Sequence, residues 1–179
     1  SYLHSGVHVT FENEPTQTKE SFQHEDGLAD YLVQIINDRG TTSIHESPFV
    51  LSKEHPTTAS RIELVLQWTE ATDEHLRSYV NGIPTGSGGT HENGTRSGIS
   101  KAVRNFVYTH NLSPKGVTIT SEDIREGMTG VLSVFVQHPQ FQGQTTYLLN
   151  NQEIAHVLHS TLRQALEQCL NHNIRLAHR

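Results

Sequence analysis

The run Val131-Leu132-Ser133-Val134-Phe135-Val136 constrains the fold more than any other stretch of the chain. It is nearly all apolar and lacks the alternation of a half-wetted strand, so it reads as a central strand covered on both faces. Neighbouring strands are not hard to find. Ile62, Leu64, Leu66 and Trp68 alternate with Arg61, Glu63 and Gln67, a period of two that puts one face on a core and leaves the other at least partly wet. Phe49–Ser52 and Leu76–Ile83 read as further strands, the second running into a Gly-rich segment, Gly82–Gly98. Residues 1–12, with Val7, Val9 and Phe11, read as another, ended by a turn at Asn13-Glu14-Pro15.

Between these runs the apolar period changes to that of a helix. Leu28, Tyr31, Leu32, Ile35 and Ile36 recur at i, i+3, i+4, i+7 and i+8, with Asp26 as the expected N-cap and Gly40 placed to end the helix. Ile99, Ala102, Val103, Phe106 and Val107 repeat the same spacing. Thr120 and Asp123 form a capping-box pattern for a turn over Ser121–Glu126. Asn150 with Glu153 marks the expected start of a final helix carrying Ile154, Val157, Leu158, Leu162, Ala165 and Cys169. Strands interleaved with helices, without strict βαβ repetition, predict an α+β domain with helices on one side of a sheet.

Composition narrows the function classes. At 179 residues the chain suits one globular domain. A single cysteine, Cys169, excludes an internal disulfide framework and a thiolate zinc cage, and no apolar run is long enough to span a bilayer. The net charge of −6 argues against a free-standing nucleic-acid grip built on phosphate neutralisation. The opening Ser1-Tyr2-Leu3, without an initiator Met, suggests a piece of a longer chain.

Motifs for self-contained chemistry are missing. The 13 histidines are scattered; the tightest pair, His156 and His159, has neither a third ligand nor a His-Glu-x-x-His frame, so no metal site is expected. Gly89 to Gly94 has the glycine spacing of a phosphate loop, but Thr95 and Arg96 stand where that motif needs Lys and Ser/Thr. No Gly-x-Ser-x-Gly elbow exists, and Cys169 lies on the apolar stripe of its helix. No catalytic residue is expected in the chain. These gaps point to a domain that assists chemistry housed elsewhere.

Three runs in order carry a specific resemblance. They are Ser78-Tyr79-Val80-Asn81-Gly82-Ile83 leading to Gly88-Gly89-Thr90-His91 and Gly94-x-Arg96; Asp123-Ile124-Arg125-Glu126-Gly127-Met128-Thr129; and Pro139-Gln140-Phe141-Gln142-Gly143-Gln144-Thr145. With Leu3-x-Ser5-Gly6-Val7 and Phe22-x-x-Glu25-x-Gly27, they resemble the second, transducer domain of type IIA topoisomerase B subunits, the family of DNA gyrase and topoisomerase IV. The resemblance implies a fold similar to the second domain of ribosomal protein S5, with a mixed sheet and a left-handed βαβ crossover. It places residues 1–24 at the end of a preceding ATP-binding domain and 25–179 in the transducer.

The implied function is to couple ATP binding and hydrolysis, with Mg2+, to closure of a cytoplasmic DNA clamp. The implied partners are DNA, a gyrase A-type subunit and a second B-type subunit, dimerised through the preceding domain. In the family a Gln-Thr-Lys loop meets the γ-phosphate; here it corresponds to Gln144, Thr145 and Thr146, with Gln142 in place of the usual Glu. Thr146 cannot carry the positive charge, and Tyr147 and Leu148 are no substitute. Arg96 matches an arginine that looks towards the DNA cavity, although the Phe before it is Thr95 here. Its helical phase, about 60° from Ile99, places it at the edge of the apolar arc. Lys101 and Arg104, on the polar side, extend a basic lining. The Asp123–Gly127 run reads as a capped turn feeding the central strand. The alternative is a divergent, non-catalytic paralogue used for dimerisation or regulation, favoured by Thr146 and the low basic content.

Overall fold

A computed structural model describes residues 3, 8–13, 18–23, 27–55, 60–113, 115–141 and 149–172. In chain order the elements are β1 (His8–Asn13), β2 (Thr18–Gln23), α1 (Leu28–Asp38), β3 (Phe49–His55), β4 (Ser60–Trp68), β5 (His75–Val80), β6 (Ile83–Pro84), α2 (Thr90–Thr109), α3 (Ser121–Arg125), β7 (Met128–Val136) and α4 (Gln152–His172). β1 and β2 form a separate antiparallel hairpin. The polar β2, Thr-Lys-Glu-Ser-Phe-Gln, has almost no apolar pattern, which is why sequence reading passes over it.

The other five strands make a mixed sheet in the order β3-β4-β7-β5-β6. β7, which contains the apolar run, lies at its centre, antiparallel to β4 and parallel to β5. Leu64 opposes Leu132 and Val65 opposes Val131, so alternate pairs point to opposite faces. On one face Ile62, Leu64, Leu66, Val80, Leu132 and Val134 meet Ile99 and Ala102 of α2 and Ile154, Leu158 and Leu162 of α4. This is the expected layer of helices on one side of an α+β sheet. On the other face Val65 and Val131 receive Leu28, Leu32, Ile35 and Ile36 of α1. The face of β4 expected to be partly wet is therefore wet only in part: Arg61 is exposed, but Val65 and Gln67 are buried. The α1 face also holds Tyr31 and Tyr79, whose hydroxyls meet at 2.8 Å, with Arg77 donating to Tyr31 at 2.9 Å.

Local boundaries follow from backbone chemistry. Gly27, not Asp26, occupies the N-cap of α1, without a side-chain cap; Asp26 lies outside the described residues. Thr41 N–H to Ile36 O (3.3 Å) and Gly40 N–H to Asn37 O (3.1 Å) close its other end. The strand expected over Leu76–Ile83 is a hairpin, because Asn81 (φ 52°) and Gly82 (φ 80°) take the paired positive φ angles of a tight two-residue turn. Asn81 also bonds both ways with the Val136 backbone, at 2.8 and 2.9 Å, which fixes the hairpin to the end of β7. Thr120 and Asp123 form the capping box expected of them. Their turn is tied to β4 by Trp68 Nε1–H, which donates to Ile124 O at 2.9 Å. At α4, Glu153 pairs with Asn151, one residue beyond the expected Asn150.

The largest departure is α2, which begins at Thr90, so half of the Gly-rich segment is helical. Gly94, Gly98 and Ala102, four residues apart, form a smooth stripe against α4. The two helices run parallel: Gly94 faces Ala155, Gly98 faces His159, and Asn105 donates to Glu167 at 2.6 Å. A Cβ on Gly94 would lie 2.8 Å from Ala155 Cα, and one on Gly98 would lie 3.0 Å from His159 O. Glycine in this helix is a packing requirement.

Replacing glycine by alanine within a helix ordinarily gains about 1 kcal/mol. At Gly94 the sign reverses, because forcing a methyl into a packed contact costs about 1–3 kcal/mol. Gly94→Ala should therefore lower the urea midpoint at constant m-value. Gly86→Ala, whose Cβ meets nothing within 4 Å, should stay within about 0.5 kcal/mol of the parent.

Candidate functional site

The start of α2 is held by backbone on backbone. Gly89, at φ 140°, bridges in parallel to Leu149, whose N–H donates to Gly88 O at 3.2 Å while its carbonyl accepts from Thr90 N–H at 2.9 Å. A Cβ at Gly89 would sit 2.6 Å from Leu149 N, so both conformation and space call for glycine. Leu149 also pairs antiparallel with Phe141. Phe141 and Leu149, the described residues on either side of 142–148, are thereby paired next to the Gly88–Gly89 backbone. The expected nucleotide-contacting residues Gln144, Thr145 and Thr146 fall within 142–148, outside the described residues.

One turn into α2 lies a buried polar chain. His91 Nε2 meets Thr85 Oγ1 at 2.8 Å, Thr85 Oγ1 meets Ser78 Oγ at 2.8 Å, and Ser78 donates to the Glu92 carboxylate. The carboxylate can only accept, so the hydroxyls point towards it and His91 donates through Nε2. His91 is fully buried, and its Nδ1 has no hydrogen-bond partner. Burial, reinforced by the nearby Arg96 charge, pushes its pKa down to about 4. Imidazolium is therefore disfavoured at neutral pH.

From Glu92 the chain continues into an ion-pair cluster. Arg96 Nε lies 2.6 Å from Glu74 Oε1 and its Nη1 lies 3.2 Å from Glu92 Oε2; Arg125 Nε lies 3.2 Å from the other Glu74 oxygen. Two carboxylates face two guanidinium groups. Burial works against the Arg96 charge, but the hydrogen bond and charge of Glu74, aided by Glu92, outweigh it and raise the Arg96 pKa. Arg96 is neither loosely snorkelling nor free. It ties α2 to the β4–β5 connection and to α3.

Of these residues Arg96 and Arg125 line an open groove of about 410 Å³ between α2, α3 and α4. Asn93, Ser97, Ser100, Lys101, Arg104, Ser121 and His159 complete it. The structure brings all three expected DNA-facing residues, Arg96, Lys101 and Arg104, to one concavity. Lys101 and Arg104 are exposed, and Arg104 donates to Ser121 Oγ at 3.0 Å. His159 Nδ1 lies 2.8 Å from Ser97 Oγ. Among the described residues no cluster of three or more His, Cys, Asp or Glu could hold a metal, and no helix is long and apolar enough to cross a membrane.

Sequence reasoning missed Glu74, Arg125, Ser78, Thr85, His91 and Glu92. The i, i+4 spacing of Glu92 and Arg96 was a readable signal once α2 is known to begin at Thr90. Glu74 and Arg125 reach Arg96 only through the tertiary fold, and nothing local announces them.

The family model for DNA gyrase B matches residues 27–179. The B subunit of DNA topoisomerase 4 from Escherichia coli (strain K12) is 38% identical over 173 residues, covering 96% of this chain and 27% of the relative. The B subunit of DNA gyrase from Thermotoga maritima is 29% identical over 178 residues, 97% of this chain and 28% of the relative. Among solved structures, the 43K ATPase domain of Thermus thermophilus gyrase B, in complex with an aminocoumarin, superposes with a TM-score of 0.87 at 27% identity. That superposition covers 98% of this chain and 46% of the other. The topoisomerase IV ATP-binding domain of Francisella tularensis gives 0.82 at 29% identity, covering 98% and 46%. The chain thus spans about a quarter of the curated relatives it matches and under half of the solved chains. It belongs to the DNA gyrase B family.

His91 sets a pH dependence of stability. The unfolded chain binds a proton near the ordinary histidine value of 6.5, whereas the folded state resists protonation down to about 4. Stability is complete above pH 6.5 and lost as pH falls towards 4, by an amount on the order of 3 kcal/mol. His91→Gln should flatten that part of the denaturation-midpoint profile, and NMR of the imidazole should find His91 neutral at pH values where exposed histidines are charged.

Proposed function

We propose, with membership of the DNA gyrase B family as the premise, that residues 25–179 are the transducer domain in the B subunit of an ATP-dependent type IIA DNA topoisomerase. Residues 1–24 are then the end of the nucleotide-binding domain before it. The observation that carries this reading is the family match over 27–179 together with the likeness, along 98% of the chain, to a solved gyrase B ATPase domain. On this reading the domain converts the state of a nucleotide held next to it into closure of a clamp around duplex DNA. It acts in the cytoplasm with a second copy of its own subunit, dimerised through the preceding domain, and a gyrase A-type subunit.

On this reading ATP and Mg2+ are held mainly by the preceding domain. When bound, the nucleotide supplies a γ-phosphate whose charge is present before hydrolysis and absent after it. A segment touching that phosphate gains contact in one state only, which is what biases a two-state arrangement. Phe141 pairs with Leu149, which is bonded in turn to the Gly88–Gly89 backbone. Arg96, Lys101 and Arg104 line the groove on the DNA side.

Thr146 weakens the sensing step. A hydroxyl can donate one hydrogen bond to a phosphate oxygen, but it lacks the positive charge with which an ammonium pairs with the γ-phosphate. The same residue, with the self-neutralised Arg96, favours a second reading: a divergent gyrase-B-like paralogue that keeps the fold for dimerisation or regulation, with impaired ATP coupling. Supercoiling or decatenation by the full-length protein with its partner subunit separates the two.

Thr146→Lys in the full-length protein should raise ATP turnover and clamp closure together. Unchanged turnover and closure would show that the loop is not limiting and sink the coupling argument. The 179-residue chain alone should hydrolyse no ATP in a phosphate-release assay.

A further inference from the structure

The groove between α2, α3 and α4 carries its arginines already occupied. Glu74 precedes β5, has a side chain only 21% exposed, accepts a hydrogen bond from Arg96 on one carboxylate oxygen, and with the other lies 3.2 Å from Arg125 Nε, an ion pair without a hydrogen bond. A carboxylate bridging two guanidinium groups presents the same charge and the same paired acceptors as one phosphodiester. The four groups Glu74, Glu92, Arg96 and Arg125 sum to zero charge, which leaves the groove's net positive field to Lys101 and Arg104. Beside them the hydroxyl of Ser100, which lines the groove, is buried and has no hydrogen-bond partner.

We propose that Glu74 is an internal competitor for the DNA backbone: it engages, from behind the groove wall, the Arg96 and Arg125 guanidinium groups that a duplex phosphate would have to contact, and so sets how tightly this groove grips DNA. The inference rests on the reading that the groove faces duplex DNA. A phosphate entering the groove meets guanidinium groups already paired with Glu74 and Glu92 rather than free cations, so it gains less from Arg96 and Arg125 than from an unpaired arginine. Contact is therefore weak and readily released, which suits a wall past which a duplex has to move.

The test is binding of a short fluorescein-labelled duplex to the 179-residue chain, followed by anisotropy over a salt series. Glu74→Gln should bind several-fold tighter, with a salt slope steeper by about 0.9 for each arginine that gains a phosphate. Glu70→Gln, an exposed neutralisation nearby, measures the general effect of one fewer negative charge and should give a smaller gain without the steeper slope. Adding Arg96→Gln to Glu74→Gln should remove the gain. If Lys101→Gln and Arg104→Gln weaken binding while Glu74→Gln does not strengthen it, the competitor role is wrong and the DNA-facing groove stands. If none of these variants alters binding, the groove does not face DNA and both ideas fall. Should Glu74→Gln fail to fold, Glu74→Asp keeps the charge on a shorter arm; a folded Glu74→Asp that binds no tighter than the parent overturns the proposal. Saturation of the groove by inorganic phosphate with no duplex binding does the same.

Discussion

The fold depends on how closely α2 and α4 approach. Two helices ordinarily keep about 8–10 Å between axes because their side chains interdigitate. Here Gly94 and Gly98 bring the backbone of α2 against Ala155 and His159, and nothing larger than hydrogen fits at Gly94 without movement. That approach sets where α4 begins, and so where Leu149 falls. Leu149 then reaches the Gly88–Gly89 backbone and pairs with Phe141. The same contact forms the floor of the basic groove, since Ser97 and His159 meet across it. A packing constraint thus underlies both the Leu149 contacts and the groove.

Electrostatics along α2 is continuous rather than local. The buried hydroxyls of Ser78 and Thr85 deliver their hydrogens towards Glu92, Glu92 meets Arg96, and Arg96 shares Glu74 with Arg125. Each buried polar group rests on the next, so removing one strands its neighbour, at a cost larger than the bond itself. The Gly88–Gly89 clamp and the groove arginines lie at the two ends of this chain. A shift of the first turn of α2 would disturb both.

Much of this was legible in the sequence, for identifiable reasons. Val131–Val136 reads as a central strand because burial on both faces removes alternation, and Leu28–Ile36 reads as a helix because one face alone is apolar. The start of α2 was hidden because glycine weakens helix propensity, and Gly89, Gly94 and Gly98 together look like a loop until a partner helix is available to require them. The Asn81-Gly82 turn was readable from its dipeptide, but the apolar Val80 and Ile83 on either side masked it. Arg96, Lys101 and Arg104 could be grouped from helical spacing and resemblance. The neutralisation of Arg96 could not, because Glu74 joins it only through the tertiary fold.

The position of β7 has a consequence for how the chain assembles. β4 and β5 follow one another in sequence yet never pair; the strand that joins them is made last, after two helices have been passed. Until residues 128–136 leave the ribosome, both strands keep an open edge, and the apolar faces of β4 and of α1 have no sheet centre to rest on. Closure of this sheet is a late, long-range event of high contact order, which makes it slow compared with helix formation. In a larger protein made of several domains, the waiting strand edges are where mispairing with a neighbouring segment would begin.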